Sequence, residues 1–136
     1  MPKRRDLFKA AALFAPLAAV QGAATLPDVT LTAGQAKLIK EPFGENRIYF
    51  DGPTDQLKSM TAGSLRLNAG MQPHPPHQHP EEEILLVTEG TCDISVEGKV
   101  TKVSAGAMMY CAANKLHGIV NNSKAPVTFF YYKWKA

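Results

Sequence analysis

The stretch from Gly70 to Gly90, GMQPHPPHQHPEEEILLVTEG, limits what this chain can fold into more than any other. It carries three of the four histidines, then three consecutive glutamates, then the apolar run Ile84–Val87 and a closing glycine. An apolar run of this length, ended by glycine, reads as a buried strand entering a turn. His77 and His79 are two residues apart, so on an extended path their imidazoles share one face. Glu83 has the same parity and joins them there. Two imidazoles and a carboxylate on one face are the donor set of a metal site open to small molecules.

The fourth histidine, His117, lies downstream. It follows an apolar strand, Met108–Cys111, and a turn at Ala112-Ala113-Asn114-Lys115. Metal sites commonly draw on distant parts of a chain, which makes His117 the natural third imidazole.

These two stretches resemble the two motifs of the cupin superfamily. The first motif has HxH, three or four residues, Glu, six residues and Gly. His77, His79, Glu83 and Gly90 keep those intervals, and only the leading Gly70 is displaced by one position. The second motif runs from a glycine through PxG to His and Asn. Gly106, Ala112, Asn114, His117 and Asn121 keep every interval, with Ala112 in place of the proline and Asn114 in place of the glycine. Asparagine tolerates a left-handed turn better than most residues, so that exchange is mild. The resemblance implies an all-β fold, a double-stranded β-helix jelly-roll barrel over residues 28–135. It implies a divalent metal ion (Fe, Mn, Ni or Zn) held by His77, His79, Glu83 and His117. It also implies a small-molecule ligand or substrate, and often a homodimer.

The strand pattern agrees with an all-β reading. Short runs separated by turn residues dominate: Arg47–Phe50, Ser64–Leu67, Ile84–Val87, Cys92–Val96, Val100–Val103, Met108–Cys111, Gly118–Val120 and Val127–Lys133. Glu97-Gly98-Lys99 marks a hairpin turn. Residues 25–46 are the least readable, a leading strand and a loop. No internal repeat is present, so a single barrel is expected. In the last run Phe129, Tyr131 and Lys133 fall on one face and Phe130, Tyr132 and Trp134 on the other. Apolar residues on both faces mean both are covered, one by the barrel core and the other by the N-terminal segment or a second subunit.

The N-terminus reads as a signal. Arg4-Arg5-Asp6-Leu7-Phe8-Lys9 precedes an apolar run from Ala10 to Val20 that is too short to span a bilayer. Paired arginines followed by two apolar residues and lysine resemble a twin-arginine (Tat) export signal. Residues 1–24 are therefore expected to be cleaved, leaving a periplasmic or secreted protein with no stable membrane anchor. The whole chain carries 15 basic and 12 acidic residues, a net charge of +3. Removing residues 1–24 leaves eleven of each, so the basic balance belongs to the signal and gives no argument for nucleic-acid binding.

Several further residues have two readings. His74 has the wrong parity for the histidine face and is a rim residue or a solvent-exposed loop histidine. Glu81 and Glu82 face solvent, or Glu81 supports a ligand histidine. Tyr110 and Asn121 flank the His117 loop and either reach the pocket or, for Tyr110, pack in the core. Arg66 anchors an anion or lies on the surface. Cys92 and Cys111, the only cysteines, are expected to be separate buried thiols rather than a disulfide. Asn121-Asn122-Ser123 fits the glycosylation pattern by chance.

Two functional classes follow. One is a metal-dependent oxygenase, decarboxylase, isomerase or lyase acting on an organic acid, sugar or phenolic. The other is a non-catalytic periplasmic module that binds metal or a small ligand. No catalytic acid or base stands out beyond the ligand set.

Overall fold

The computed structural model describes residues 24–136, so the expected export signal lies outside the described residues apart from Ala24. Nine strands follow in order: β1 (Lys37–Glu41), β2 (Gly44–Gly52), β3 (Ser59–Leu67), β4 (Glu82–Glu89), β5 (Thr91–Val96), β6 (Lys99–Ser104), β7 (Met108–Cys111), β8 (His117–Val120) and β9 (Val127–Lys135). They form a six-stranded sheet in the order β1-β2-β3-β9-β4-β7 and a three-stranded sheet in the order β6-β5-β8. All pairings are antiparallel. Two antiparallel sheets closing on a shared core are a jelly-roll barrel.

The core comes from alternation. On β4, Glu83, Leu85 and Val87 point inward, and on β9, Val127, Phe129 and Tyr131 do the same. Cys92 and Ile94 of β5, Met109 and Cys111 of β7 and Ile119 of β8 close the cluster. Phe129 and Val87 are almost wholly excluded from water, and each contributes about 1.5–3 kcal/mol by burial. Cys92 and Cys111 are both free and buried. They serve as small apolar residues of the core.

Turn chemistry sets the hairpins. Val96 pairs with Lys99, so Glu97 and Gly98 form a two-residue turn. Both have positive φ, 50° and 82°, which is the hand that matches the twist of the flanking strands. A bulge between Ile48 and Phe50 interrupts the β2–β3 register. It reverses the alternation of β2, so Asp51 joins Asn46 and Ile48 along the barrel cavity while Phe50 turns to the outside.

β1 is the leading strand expected somewhere in residues 25–46. The outer face of the large sheet is partly covered. Trp134 lines a surface groove with Leu26 and Pro27. Tyr132, Tyr110 and Met108 on the same face remain 37%, 57% and 64% exposed. Tyr110 is therefore neither a core aromatic nor a pocket residue. Its outward position on the edge strand β7 lets its hydroxyl donate to the Glu82 carboxylate.

Candidate metal centre

The three motif histidines converge. One ring nitrogen from each of His77, His79 and His117 lies within 4.8 Å of the others, and the ring centroids are 4.8–5.0 Å apart. Glu83 enters from β4, with Oε1 2.8 Å from His117 Nε2 and 3.7 Å from His79 Nε2.

The His77–His79 segment is not a regular strand, because β4 begins only at Glu82. The prolines around it remove backbone donors that a ladder would need. It is fixed instead to the strand that carries the third histidine. His77 and His117 exchange both backbone hydrogen bonds at 2.9 Å, and Asn114 N–H donates to the His79 carbonyl at 2.8 Å. Asn114 adopts φ 62°, the left-handed conformation expected of the residue standing for glycine. Gly118 completes the seam. A Cβ there would lie 3.1–3.3 Å from Pro76, so only glycine lets the proline-rich segment settle on β8 without displacement.

Backbone carbonyls select the tautomers. His117 Nδ1 donates to the Lys115 carbonyl at 2.9 Å, and His79 Nδ1 to the Glu81 carbonyl at 3.1 Å. The Glu81 carboxylate is a further 3.2 Å contact to the same nitrogen. Glu81 thus holds the His79 ring rather than facing solvent. Each Nε2 is left as a lone pair aimed into the cluster, as metal-binding histidines require.

His117 Nε2 is buried and makes no hydrogen bond of good geometry, although the Glu83 carboxylate oxygen is 2.8 Å away. A lone pair facing a carboxylate at that distance is reconciled only by a proton or a metal cation between them. The Glu83 carboxylate at that distance accordingly raises the His117 pKa, against the effect of burial. Burial alone would push the Glu83 carboxyl up, but hydrogen bonding and charge from His117, with His79 and Lys133, hold it below the ordinary range. Burial and the charges of His74, His117 and His79 lower His77 to about 4. The donor set and its orphaned nitrogen therefore fit a divalent ion.

The cluster lines a cavity of about 430 Å³, a size that holds small molecules. His74 also lines it, stacked face to face on His77 at 3.7 Å and 29°. Its Nδ1 lies 2.8 Å from the Pro75 carbonyl, and it is not among the converging donors. It is exposed and stands at the rim, off the converging donors, although the segment is a proline-stiffened loop and not a strand.

Asn121 does not reach the cavity. It is fully buried and bonds to the carbonyls of Leu67, Asn68 and Ala125, a position closed to glycosylation. Arg66 lies on the surface and pairs with Glu89 at 3.6 Å. The sequence reading missed Asn46, Thr61 and Lys133 as cavity residues. Lys133 was detectable, since the alternation of the last run places it on the face of Phe129 and Tyr131.

Among solved structures, the fold is similar to an RmlC-like cupin from Shewanella frigidimarina NCIMB 400 (16% identity, TM-score 0.69, 83% of this chain and 96% of that one). It is also similar to KdgF from Halomonas sp. (18% identity, TM-score 0.66, 81% of this chain and 96% of that one). A third is the polyketide cyclase RemF from Streptomyces resistomycificus (18% identity, TM-score 0.64, 81% of each chain). No curated protein matches the chain. The family model of the cupin domain matches residues 64–132, which run from β3 through the whole candidate centre into β9. The chain belongs to the cupin family.

Proposed function

We propose that the protein is an exported cupin whose barrel holds one divalent metal ion at His77, His79, Glu83 and His117 and acts on a small organic molecule in the adjoining cavity. The observation that carries this is the buried His117 Nε2 facing the Glu83 carboxylate beside two further imidazoles. A bound ion of this kind supplies Lewis acidity or a site for oxygen or water. The chain's own residues orient the ring nitrogens through Lys115 and Glu81 and keep an apolar cavity wall around the reacting molecule.

The open cavity supports the enzyme reading, of oxygenase, decarboxylase, isomerase or lyase type, over a closed storage site. A closed site needs a further ligand, and His74 presents its ring face rather than a nitrogen to the cluster. RemF is described as a polyketide cyclase; likeness at 18% identity supports the shared barrel and not its substrate. Export through the twin-arginine pattern and a homodimer built on the Tyr110–Tyr132 face belong to the same reading. Supporting them are Arg4-Arg5 with Leu7-Phe8-Lys9, and an aromatic face left open by the N-terminal segment.

The test is elemental analysis of the folded protein beside His77→Ala and His117→Ala. About one divalent ion per chain, lost in both variants, is expected. Full metal content in both variants, or none in the unaltered folded protein, refutes the metal-centre reading.

A further inference from the structure

One row of side chains crosses the large sheet at the level of Glu83. Asp51 pairs with Thr61, Thr61 with Lys133 and Lys133 with Glu83. Directly paired residues stand about 4.5–5.5 Å apart at Cβ on one face. All four line the cavity that holds the histidines.

Three members of this row are already engaged. The Thr61 hydroxyl donates to Asp51 at 3.1 Å. Glu83 is turned toward His117 and His79. Lys133 is half-buried, yet among the described residues its ammonium has neither an ion pair nor a side-chain hydrogen bond. Its charge nonetheless reaches the centre, lowering the proton affinity of both Glu83 and His117.

An ammonium with three donors, partly out of water and without a partner, favours an anion. Asp51 does not fill that role. It lies two strands away, about 10 Å at ordinary strand spacing. A second donor shares the cavity. Asn46 Oδ1 accepts from the Tyr131 hydroxyl at 3.0 Å, which leaves the Asn46 amide N–H groups free to donate. Gly63 makes that contact possible, since a Cβ there would collide with Tyr131 and come within 2.6 Å of the Arg47 carbonyl oxygen. The remaining wall is apolar: Phe43, Ile48, Leu65, Leu85, Ile119 and Phe129.

We propose that Lys133 anchors the carboxylate of a small organic acid, with a second oxygen of the same molecule facing the His77–His79–His117 cluster and its apolar body against Leu65, Leu85 and Phe129. Only the second contact rests on the metal-centre reading. The assignment narrows the substrate class from acids, sugars and phenolics to acids.

The experiment is calorimetric titration of the full chain, zinc-loaded and zinc-free, with mandelate and with its neutral counterpart mandelamide. Zinc content and thermal midpoint are measured on every variant. Mandelate is expected to bind at least about tenfold more tightly than mandelamide, a difference of about 1.4 kcal/mol. Lys133→Met removes the preference and leaves mandelamide binding and zinc content unchanged, and Lys133→Arg restores most of it. Equal binding of the two compounds, binding of neither, or mandelate binding indifferent to Lys133→Met overturns the proposal. Zinc retained with no effect of Lys133 sinks this assignment alone. Mandelate held through Lys133 by a protein that takes up no zinc sinks the metal-centre reading and leaves this one standing.

Discussion

Replacing Asn121 by alanine separates a structural role from one in the cavity. The Nδ2 hydrogens are shared among the carbonyls of Ala125 at 2.8 Å and of Leu67 and Asn68 at 3.2 Å. Oδ1 accepts from the Ser123 backbone N–H at 3.0 Å and from its hydroxyl at 2.6 Å. The side chain thereby ties the end of β3 to the exit of β8 and the approach to β9. A buried neutral hydrogen bond contributes about 0.5–1.5 kcal/mol, and an orphaned buried polar group costs about 1–3 kcal/mol. The Ser123 hydroxyl still reaches the Ala125 carbonyl at 2.9 Å, so that group stays partnered. Three well-formed bonds lost, with the Leu67 carbonyl deprived of the Asn121 donor while the Asn68 carbonyl keeps the Met71 N–H, amount to about 3–5 kcal/mol. For a domain of this size that lowers the melting temperature by about 10–20 °C. Asn121→Asp keeps the shape, places acceptor against acceptor, and is expected to be no better than alanine. Thermal and urea unfolding followed by circular dichroism measures both, with zinc affinity determined on the folded fraction. A loss below about 1 kcal/mol, or weakened zinc binding with stability intact, would refute the reasoning and put Asn121 in the site.

Other perturbations probe the seam, the cluster and the core. Gly118→Ala pushes its Cβ to 3.1–3.3 Å from a rigid proline, so a loss of about 1–3 kcal/mol is expected, with zinc affinity falling several-fold in chelator competition; unchanged affinity and stability would show that the loop is not held there. In the metal-free protein His77 titrates near 4, below its unfolded value of 6.5. The unfolded chain therefore binds the extra proton between those values, and this residue's contribution to stability falls as pH drops from 6.5 to 4. A histidine-resolved NMR titration checks it, and a midpoint near 6.5 contradicts it. Burial pushes the Cys92 thiol up to about 11 and raises Cys111 as well. Neither is expected to react with a thiol reagent in the folded protein at pH 8, while both react after denaturation; rapid labelling of the native protein would show the core to be open.

The all-β class was legible in local strand and turn signals, and the jelly roll in motif spacing that resembles the cupin superfamily. Ile84–Val87 is short and apolar, Cys92–Val96 alternates apolar with polar residues, each is soon followed by glycine, and they lie in β4 and β5. The positive φ of Asn114 followed from its place at the motif's glycine position and from the tolerance of asparagine for that conformation. Readings failed where two distant segments decide the outcome. Tyr110 looked like a core aromatic because β7 is apolar on both faces. Which face turns inward depends on pairing with β4, where Cys111 meets Glu83 and Tyr110 meets Ile84. Asn121 sat in the second motif beside His117 and invited a role in the cavity, yet its partners are Leu67 and Asn68, more than fifty residues earlier.

The same contrast explains how the candidate centre is built. No single element carries it: His77 and His79 come from a loop, Glu83 from β4 and His117 from β8. The loop has no ladder of its own, so its position depends on the two bonds exchanged with His117 and the one from Asn114. Those bonds are made by backbone groups on the turn and strand that deliver the third imidazole. Closing the seam and assembling the imidazoles are therefore one event. Glu83 is set independently, by pairing with Cys111 on one side and Lys133 on the other. The carboxylate and the half-buried Lys133 thus stand on the large sheet, while the histidines sit on the seam made by those backbone bonds. A divalent ion there would be held between the seam and the sheet by His77, His79, His117 and Glu83, with Lys133 paired beside Glu83.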